Sequence, residues 1–373
     1  MILGPSILYG FTMSDMSENN SGENITPRRS RRREKASLAA LEPKVLEWLR
    51  QSEGSPNEEL VAEMLQTIMR LDQSTASRGD LKVFNRTLKE LRQAFKLFAP
   101  HRSVRKVSIF GSARITEEDP HYQMAAAFAR RLAEEGFMVI TGSGGGIMQA
   151  GNEGAGREQS FGVNIHLPFE QEANRFISGD PKLIAFHFFF TRKLVFVKEA
   201  DAFVFFPGGF GTHDEAAEVL TLVQTGKSQI MPILMIDLPG DDYWREWEDF
   251  VRRRMLSAGY ICEEDLSLFK IVDNVEEAVK EIQHFYSNYQ SLRYVKKDTV
   301  TRLIHPPTPA LIAKLNHDFP DILTSGEIRE TGPLPEEADE LPATLALHRL
   351  LVPFNRRNFG RLRQMIDVIN GER

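Results

Sequence analysis

The sequence predicts an α/β fold, a Rossmann-like doubly wound parallel sheet with a helical N-terminal and a mixed C-terminal extension. Short, nearly continuous apolar runs at 107–110, 137–140, 161–165, 184–190, 202–206 and 232–236 alternate with helix-period stretches. That pattern suits a parallel sheet covered on both faces. Glycine-rich turns follow several of these runs, at the strand ends where such sheets hold ligands. The most informative turn is Pro207-Gly208-Gly209-Phe210-Gly211-Thr212-His213-Asp214-Glu215, set between an apolar strand and the helical stretch 216–224.

Taken in order, residues 1–36 read as a disordered basic tail, rich in Ser, Asn, Glu and Arg with little to bury. The run Arg28-Arg29-Ser30-Arg31-Arg32-Arg33 has no interleaved aromatic residue to stack on bases, so it reads as solvated. The first nine residues lack the features of a signal peptide, and Met13 or Met16 is an alternative start. Residues 37–99 form a helical N-terminal segment. Leu81, Phe84, Leu88, Leu91, Phe95 and Phe98 recur at three-and-four spacing, Val61, Met64, Ile68 and Leu71 do the same earlier, and Pro100 is the stop. Residues 100–290 form the sheet domain and 291–373 a C-terminal extension. Within that extension 310–315 and 345–369 read as helical, the latter interrupted at Pro353, and the whole is expected to wrap the core.

Composition narrows the function. The 373 residues carry a net charge of -6, which argues against general nucleic-acid affinity. The one cysteine, Cys262, excludes an intrachain disulfide and fits a reducing compartment, so a cytoplasmic location is expected. No apolar stretch approaches the ~20 residues of a membrane helix. The nine histidines show no ligand spacing, so no metal site is expected.

Three loops carry the chemistry: Gly111-Ser112-Ala113-Arg114, the run from Thr141 through Gly144, Gly145 and Gly146 to Met148, and the turn that begins at Pro207. The second loop runs Gly-x-Gly-x-Gly and lacks the acidic residue that a dinucleotide site wants after the next strand. A Gly-Lys-Ser/Thr P-loop is also absent. Glycine turns around one crevice fit a smaller phosphorylated ligand, held by backbone N–H groups at a helix N-terminus. Glu215, in the first turn of that helix, places a carboxylate beside the anion. Asp214 points about 100° away and ranks below it. Arg192-Lys193 falls just after a strand's C-terminal end, beside the glycine loops. Of the rest, Asp237, Asp241 and Asp242 read as a solvated turn around Pro239-Gly240, while Trp244, Trp247 and Phe250 read as core or interface.

The set Gly111-Ser112, the glycine loop to Met148, Arg192-Lys193 and Pro-Gly-Gly-x-Gly-Thr-x-x-Glu at 207–215 resembles the LOG (Lonely Guy) family over roughly residues 103–288. The resemblance implies a phosphoribohydrolase that splits a nucleoside 5'-monophosphate, AMP or an N6-modified AMP, into free base and ribose 5-phosphate. It implies Arg192 and Glu215 as the catalytic pair. It implies a nucleotide-binding set of Gly111, Ser112, Gly144, Gly145, Gly146, Met148, Lys193, Pro207, Gly208, Gly209, Gly211 and Thr212. It also implies no cofactor and a homo-oligomer of two or more subunits. Residues 164–171 resemble a stretch of longer bacterial members, whereas Phe188-Phe189-Phe190 replaces the usual Met-His before Arg-Lys. The label lysine decarboxylase, often attached to the family, finds no lysine in an evident pyridoxal site. Two rivals remain: a non-catalytic nucleotide or molybdenum-cofactor carrier, which needs no Arg192/Glu215 pair, and a DNA-processing module leaning on the basic arm.

Overall fold

The computed structural model describes residues 43, 45, 47, 48, 50, 51, 54–167 and 172–371. The 1–36 tail with its arginine run lies outside the described residues, as do positions 168–171. The chain divides into two compact units, residues 1–77 and 78–373. In the first, helix α1 (Glu58–Asp72) buries none of its residues, and Met64 and Ile68 are exposed.

The second unit opens with α2 (Arg78–Phe98). Its buried face is rotated from the stripe that the sequence suggests. Glu90, Ala94 and Phe98 are buried, whereas Leu88 and Phe95 are exposed. The 3.6-residue repeat allows two overlapping apolar stripes, and packing chose the one that contains a glutamate.

Seven parallel strands follow: β1 (Lys106–Phe110), β2 (Met138–Thr141), β3 (Ser160–Ile165), β4 (Leu183–Phe186), β5 (Ala202–Phe205), β6 (Ile233–Ile236) and β7 (Lys270–Val272). Their order is β4-β3-β2-β1-β5-β6-β7. The helices between them are α3 (Pro120–Glu134), α4 (Ile147–Ala155), α5 (Phe189–Glu199), α6 (Phe210–Gln224) and α7 (Tyr243–Phe250), with α8 (Val275–Phe285) after β7. Winding runs one way from β1 to β4 and the other way from β5 to β7, so the topological switch lies between β1 and β5, paired as Val107↔Ala202 through Phe110↔Phe205. Loops at such a switch splay apart and leave a crevice. The fold is α/β, as the alternation predicts. Two apolar clusters pack its faces, one around Phe161, Phe196, Phe203 and Phe205, the other around Val107, Ile109, Phe128 and Val204.

Several expectations change. The run at 184–190 ends as a strand at Phe186, and Phe189 already begins α5. A continuous aromatic run does not reveal where a strand becomes a helix. Asp237 is not solvated: it is buried and accepts from the Trp244 N–H at 3.0 Å, anchoring the start of α7. The stretch 345–369 is not one broken helix. After the short helices α9 (Pro309–Asp318) and α10 (Pro342–Leu345), its first part is a strand, β11 (His348–Val352), and its last part is helix α11 (Phe359–Gly371). The strand belongs to a second, antiparallel sheet with β8 (Tyr289–Val295), β9 (Asp298–Leu303) and β10 (Arg329–Glu330), in the order β10-β11-β9-β8. Helix α11 buries Leu362, Met365, Ile366 and Ile369, and its Arg363 pairs with Glu281 of α8 at 3.1 Å. Among the described residues no helix is long and apolar enough to cross a membrane.

Candidate functional site

The three glycine loops meet at the switch. Ser112, following β1, donates its N–H to the Pro207 carbonyl at 3.0 Å, and its own carbonyl accepts from the Ile147 N–H at 2.9 Å. Gly146, at φ +59, presses against that same carbonyl, so any side chain there would collide with it. A Cβ on Gly208 would strike Thr212, and one on Gly111 would strike Ile147. By contrast Gly209 and Gly211, at the head of α6, have open space beside them. The first N–H groups of a helix lack intrahelical acceptors and carry the positive end of its dipole. Open space there is room for an anion.

The middle loop is held from behind. Ser143 takes a left-handed φ of 57 and donates its N–H to Thr141 Oγ1 at 3.0 Å. The buried amide of Asn174 donates to the Gly144 carbonyl at 3.0 Å and to Asn152 Oδ1 at 2.9 Å. Asn152 Oδ1 also accepts from the Thr141 hydroxyl at 2.8 Å. A comparable brace supports the last loop, where the Tyr243 hydroxyl donates to the Gly208 carbonyl at 2.5 Å and meets His213 Nε2 at 2.7 Å. Burial lowers the pKa of His213. None of Asn152, Asn174 and Tyr243 is legible from sequence, because nothing local marks a residue that braces a loop far away in the chain.

Arg192 is buried and donates its Nε to the Val163 carbonyl on β3 at 2.9 Å, with its guanidinium 5.3 Å from the Phe196 ring centroid. Burial lowers its pKa to about 10, against the pull of Glu215. A Cβ on Gly142 would overlap both this guanidinium and the Met148 sulfur, so Gly142 keeps the space that Arg192 occupies. The Gly-x-Gly pattern contains Gly142, but its duty toward Arg192 emerges only in three dimensions.

Glu215 is 5% exposed. Its Oε1 lies 3.4 Å from Lys193 Nζ, and its Oε2 has no hydrogen-bond partner among the described residues. Burial raises its pKa, with Lys193 and Arg192 opposing the rise and Glu218 adding to it. No direct ion pair joins Arg192 to Glu215, so that oxygen stays free for a ligand. Lys193 is turned toward acids: its Nζ lies 2.6 Å from Glu218 and 3.0 Å from Asp214. Burial works against this ammonium, but the carboxylates outweigh it and its pKa is raised. Phe210, inside the last loop, is 97% exposed. A cavity of about 370 Å³ opens on the outer side of Gly145 and Gly146, lined by Thr116, Tyr122 and Gln149 among others, and contains neither Arg192 nor Glu215.

Residues 146–282 match a family model described as possible lysine decarboxylase, and curated relatives are named as LOG-type cytokinin riboside 5'-monophosphate phosphoribohydrolases. The sheet domain is similar to proteins of the LOG family, as its motifs lead one to expect. A LOG-type cytokinin riboside 5'-monophosphate phosphoribohydrolase of Arabidopsis thaliana is 26% identical over 196 residues, 50% of this chain and 86% of that protein. One from Mycobacterium tuberculosis is 26% identical over 161 residues, 42% of this chain and 83% of that protein. The solved structure of a molybdenum cofactor carrier protein from Chlamydomonas reinhardtii overlaps 48% of this chain and 96% of its own at 17% identity, with a TM-score of 0.34. These two LOG relatives are thus covered over most of their length, whereas half or more of this chain lies outside each match.

Proposed function

We propose that the chain hydrolyses the N-glycosidic bond of a nucleoside 5'-monophosphate, AMP or an N6-modified AMP, releasing the free base and ribose 5-phosphate. The observation that carries this reading is Glu215: a buried carboxylate with one unpartnered oxygen, one turn into the helix that follows a glycine loop. The first-turn N–H groups beside Gly209 and Gly211 hold the 5'-phosphate and so fix the ribose. Cleavage develops positive charge on the sugar, as oxocarbenium-like transition states do. The Glu215 carboxylate stabilises that charge, and its free oxygen orients a water or a ribose hydroxyl. Arg192 remains protonated at neutral pH, so it donates hydrogen bonds to the departing base or the phosphate rather than a proton. The names of the LOG relatives support the same substrate class.

Incubating the purified chain with a panel of 5'-monophosphates and separating the products tests the reading. Free base together with ribose 5-phosphate is expected. A nucleotide that binds without being cleaved would sink it and favour a carrier. Homo-oligomerisation belongs to the same proposal: Phe189, Phe190 and Leu194 of α5 and Phe210 are exposed. Light scattering that gave the mass of one subunit would rule it out.

A further inference from the structure

Helix α2 lies outside the region matched by the family model, yet it sends a buried carboxylate to the helix that carries Arg192. Glu90 is 5% exposed, in a stripe where amphipathic patterning would place a leucine. A charge buried there must be met by hydrogen bonds. Its Oε1 accepts from the backbone N–H of His187 at 2.9 Å, with His187 Nδ1 at 3.3 Å. Its Oε2 accepts from the hydroxyl of the fully buried Thr191 at 2.6 Å. Both contacts fall on the entry to α5, and Thr191 directly precedes Arg192.

Two further facts give this tether a direction. Helix α5 carries the cations Arg192 and Lys193 near its N-terminus, where the dipole disfavours positive charge; a carboxylate at that end offsets the penalty. Helix α2 also grips β3, since Phe98 stacks on Phe161 with centroids 4.4 Å apart. Strand β3 supplies the Val163 carbonyl that receives Arg192 Nε. The two elements that fix the guanidinium are thus both clamped by one helix.

We propose that Glu90 is a positioning residue for the reaction at Arg192, and that α2 is a working part of the site rather than a cover over the sheet. Its carboxylate sets the rotation and depth of the first turn of α5. That setting places the guanidinium against Val163 and across the crevice from Glu215. The proposal rests on the hydrolase reading for its kinetic consequences but not for its structural ones.

The test uses the full chain with Glu90→Ala, Glu90→Gln, Thr191→Val and the Glu90→Ala/Thr191→Val double variant. Misplacement of a catalytic group by about 1 Å costs on the order of 100-fold, so Glu90→Ala should lower kcat about 10- to 100-fold while KM moves less than about threefold. Glu90→Gln should keep kcat within about threefold, because the amide still accepts from His187 N–H and donates to the Thr191 hydroxyl. The double variant should lose little beyond Glu90→Ala alone, as coupled neighbours do. Full kcat in the folded fraction of Glu90→Ala, despite a lowered Tm, would overturn the proposal, as would strictly additive losses. If the wild-type chain cleaves no monophosphate, the hydrolase reading fails instead. Hydrogen exchange then decides the clamp: amides of the first turns of α5 must exchange at least about tenfold faster in Glu90→Ala than in wild type, and unchanged rates refute it.

Discussion

Among the described residues, two of the buried arginine–glutamate groupings are wired in opposite ways. In the C-terminal sheet, Glu337 is fully buried and both its oxygens are occupied. Oε1 accepts from Arg302 at 2.6 and 3.0 Å, and Oε2 accepts from Arg349 Nε at 3.0 Å and Leu334 N–H at 3.1 Å. Arg349, itself fully buried, also donates to the carbonyls of Leu345 and Thr344. At the crevice, Arg192 and Glu215 are nearly as deeply buried, but they do not pair and Glu215 Oε2 is left open. Burial is alike in the two places and satisfaction is not. A satisfied network specifies structure, whereas an unsatisfied buried carboxylate is retained at a cost in stability, which makes it a candidate for chemistry.

The sharpest way to break this comparison is to remove the carboxylate from each grouping. Glu337→Ala leaves Arg302 and Arg349 without their shared partner, and denaturant melts should show a loss of about 3–5 kcal/mol. A loss below about 1 kcal/mol would mean that the network is ornamental. Glu215→Gln should do the reverse, leaving stability unchanged or raised while turnover falls about 100- to 1000-fold, the range seen when one transition-state contact is removed. If it instead lowered stability and spared turnover, the two groupings would not differ in kind.

pH offers a gentler test with opposite signs. Burial pushes the Glu215 carboxyl above its ordinary value of 4.5, so the folded chain holds that proton more tightly. Its contribution to stability is fully present below 4.5 and declines as pH rises through the raised folded value. At Glu337 burial acts the same way, but hydrogen bonds from Arg302, Leu334 N–H and Arg349 outweigh it and the pKa is lowered from 4.5. That contribution is present above 4.5 and is lost as pH falls through the lowered folded value. Stability curves of Glu215→Gln and Glu337→Gln, subtracted from wild type, should therefore slope in opposite directions. The smallest effect is expected at the brace of the Gly208 loop, which the proposed reading assigns to the phosphate. Tyr243→Phe removes the donor to the Gly208 carbonyl and should raise KM severalfold, at about 1 kcal/mol of binding. An unchanged KM would mean that the loop holds its shape without that hydroxyl.

The sheet domain was legible because its signals are local. Apolar runs of strand length and glycines in strand-to-helix turns depend only on neighbouring residues, and six of the seven parallel strands fall on them, the edge strand β7 being the one not read. The C-terminal sheet was not legible. Strand β11 reads as half of a broken helix, since its antiparallel partners β9 and β10 are distant in sequence and local propensity does not encode pairing. Asp237 read as solvated for the same reason: its partner, Trp244 N–H, comes into reach only when the chain turns back to start α7.

By itself, then, the sequence determined the α/β class, the three glycine loops and the family resemblance that singles out Arg192 and Glu215. Tertiary structure alone decided how those two are held. Arg192 fits because Gly142 lacks a side chain and Val163 offers a carbonyl, Lys193 is drawn away to Asp214 and Glu218, and Glu90 reaches α5 from about a hundred residues upstream. Motifs record which groups a site contains. Burial, charge and the satisfaction of hydrogen bonds are properties of space, and they arise only when distant parts of the chain are packed together.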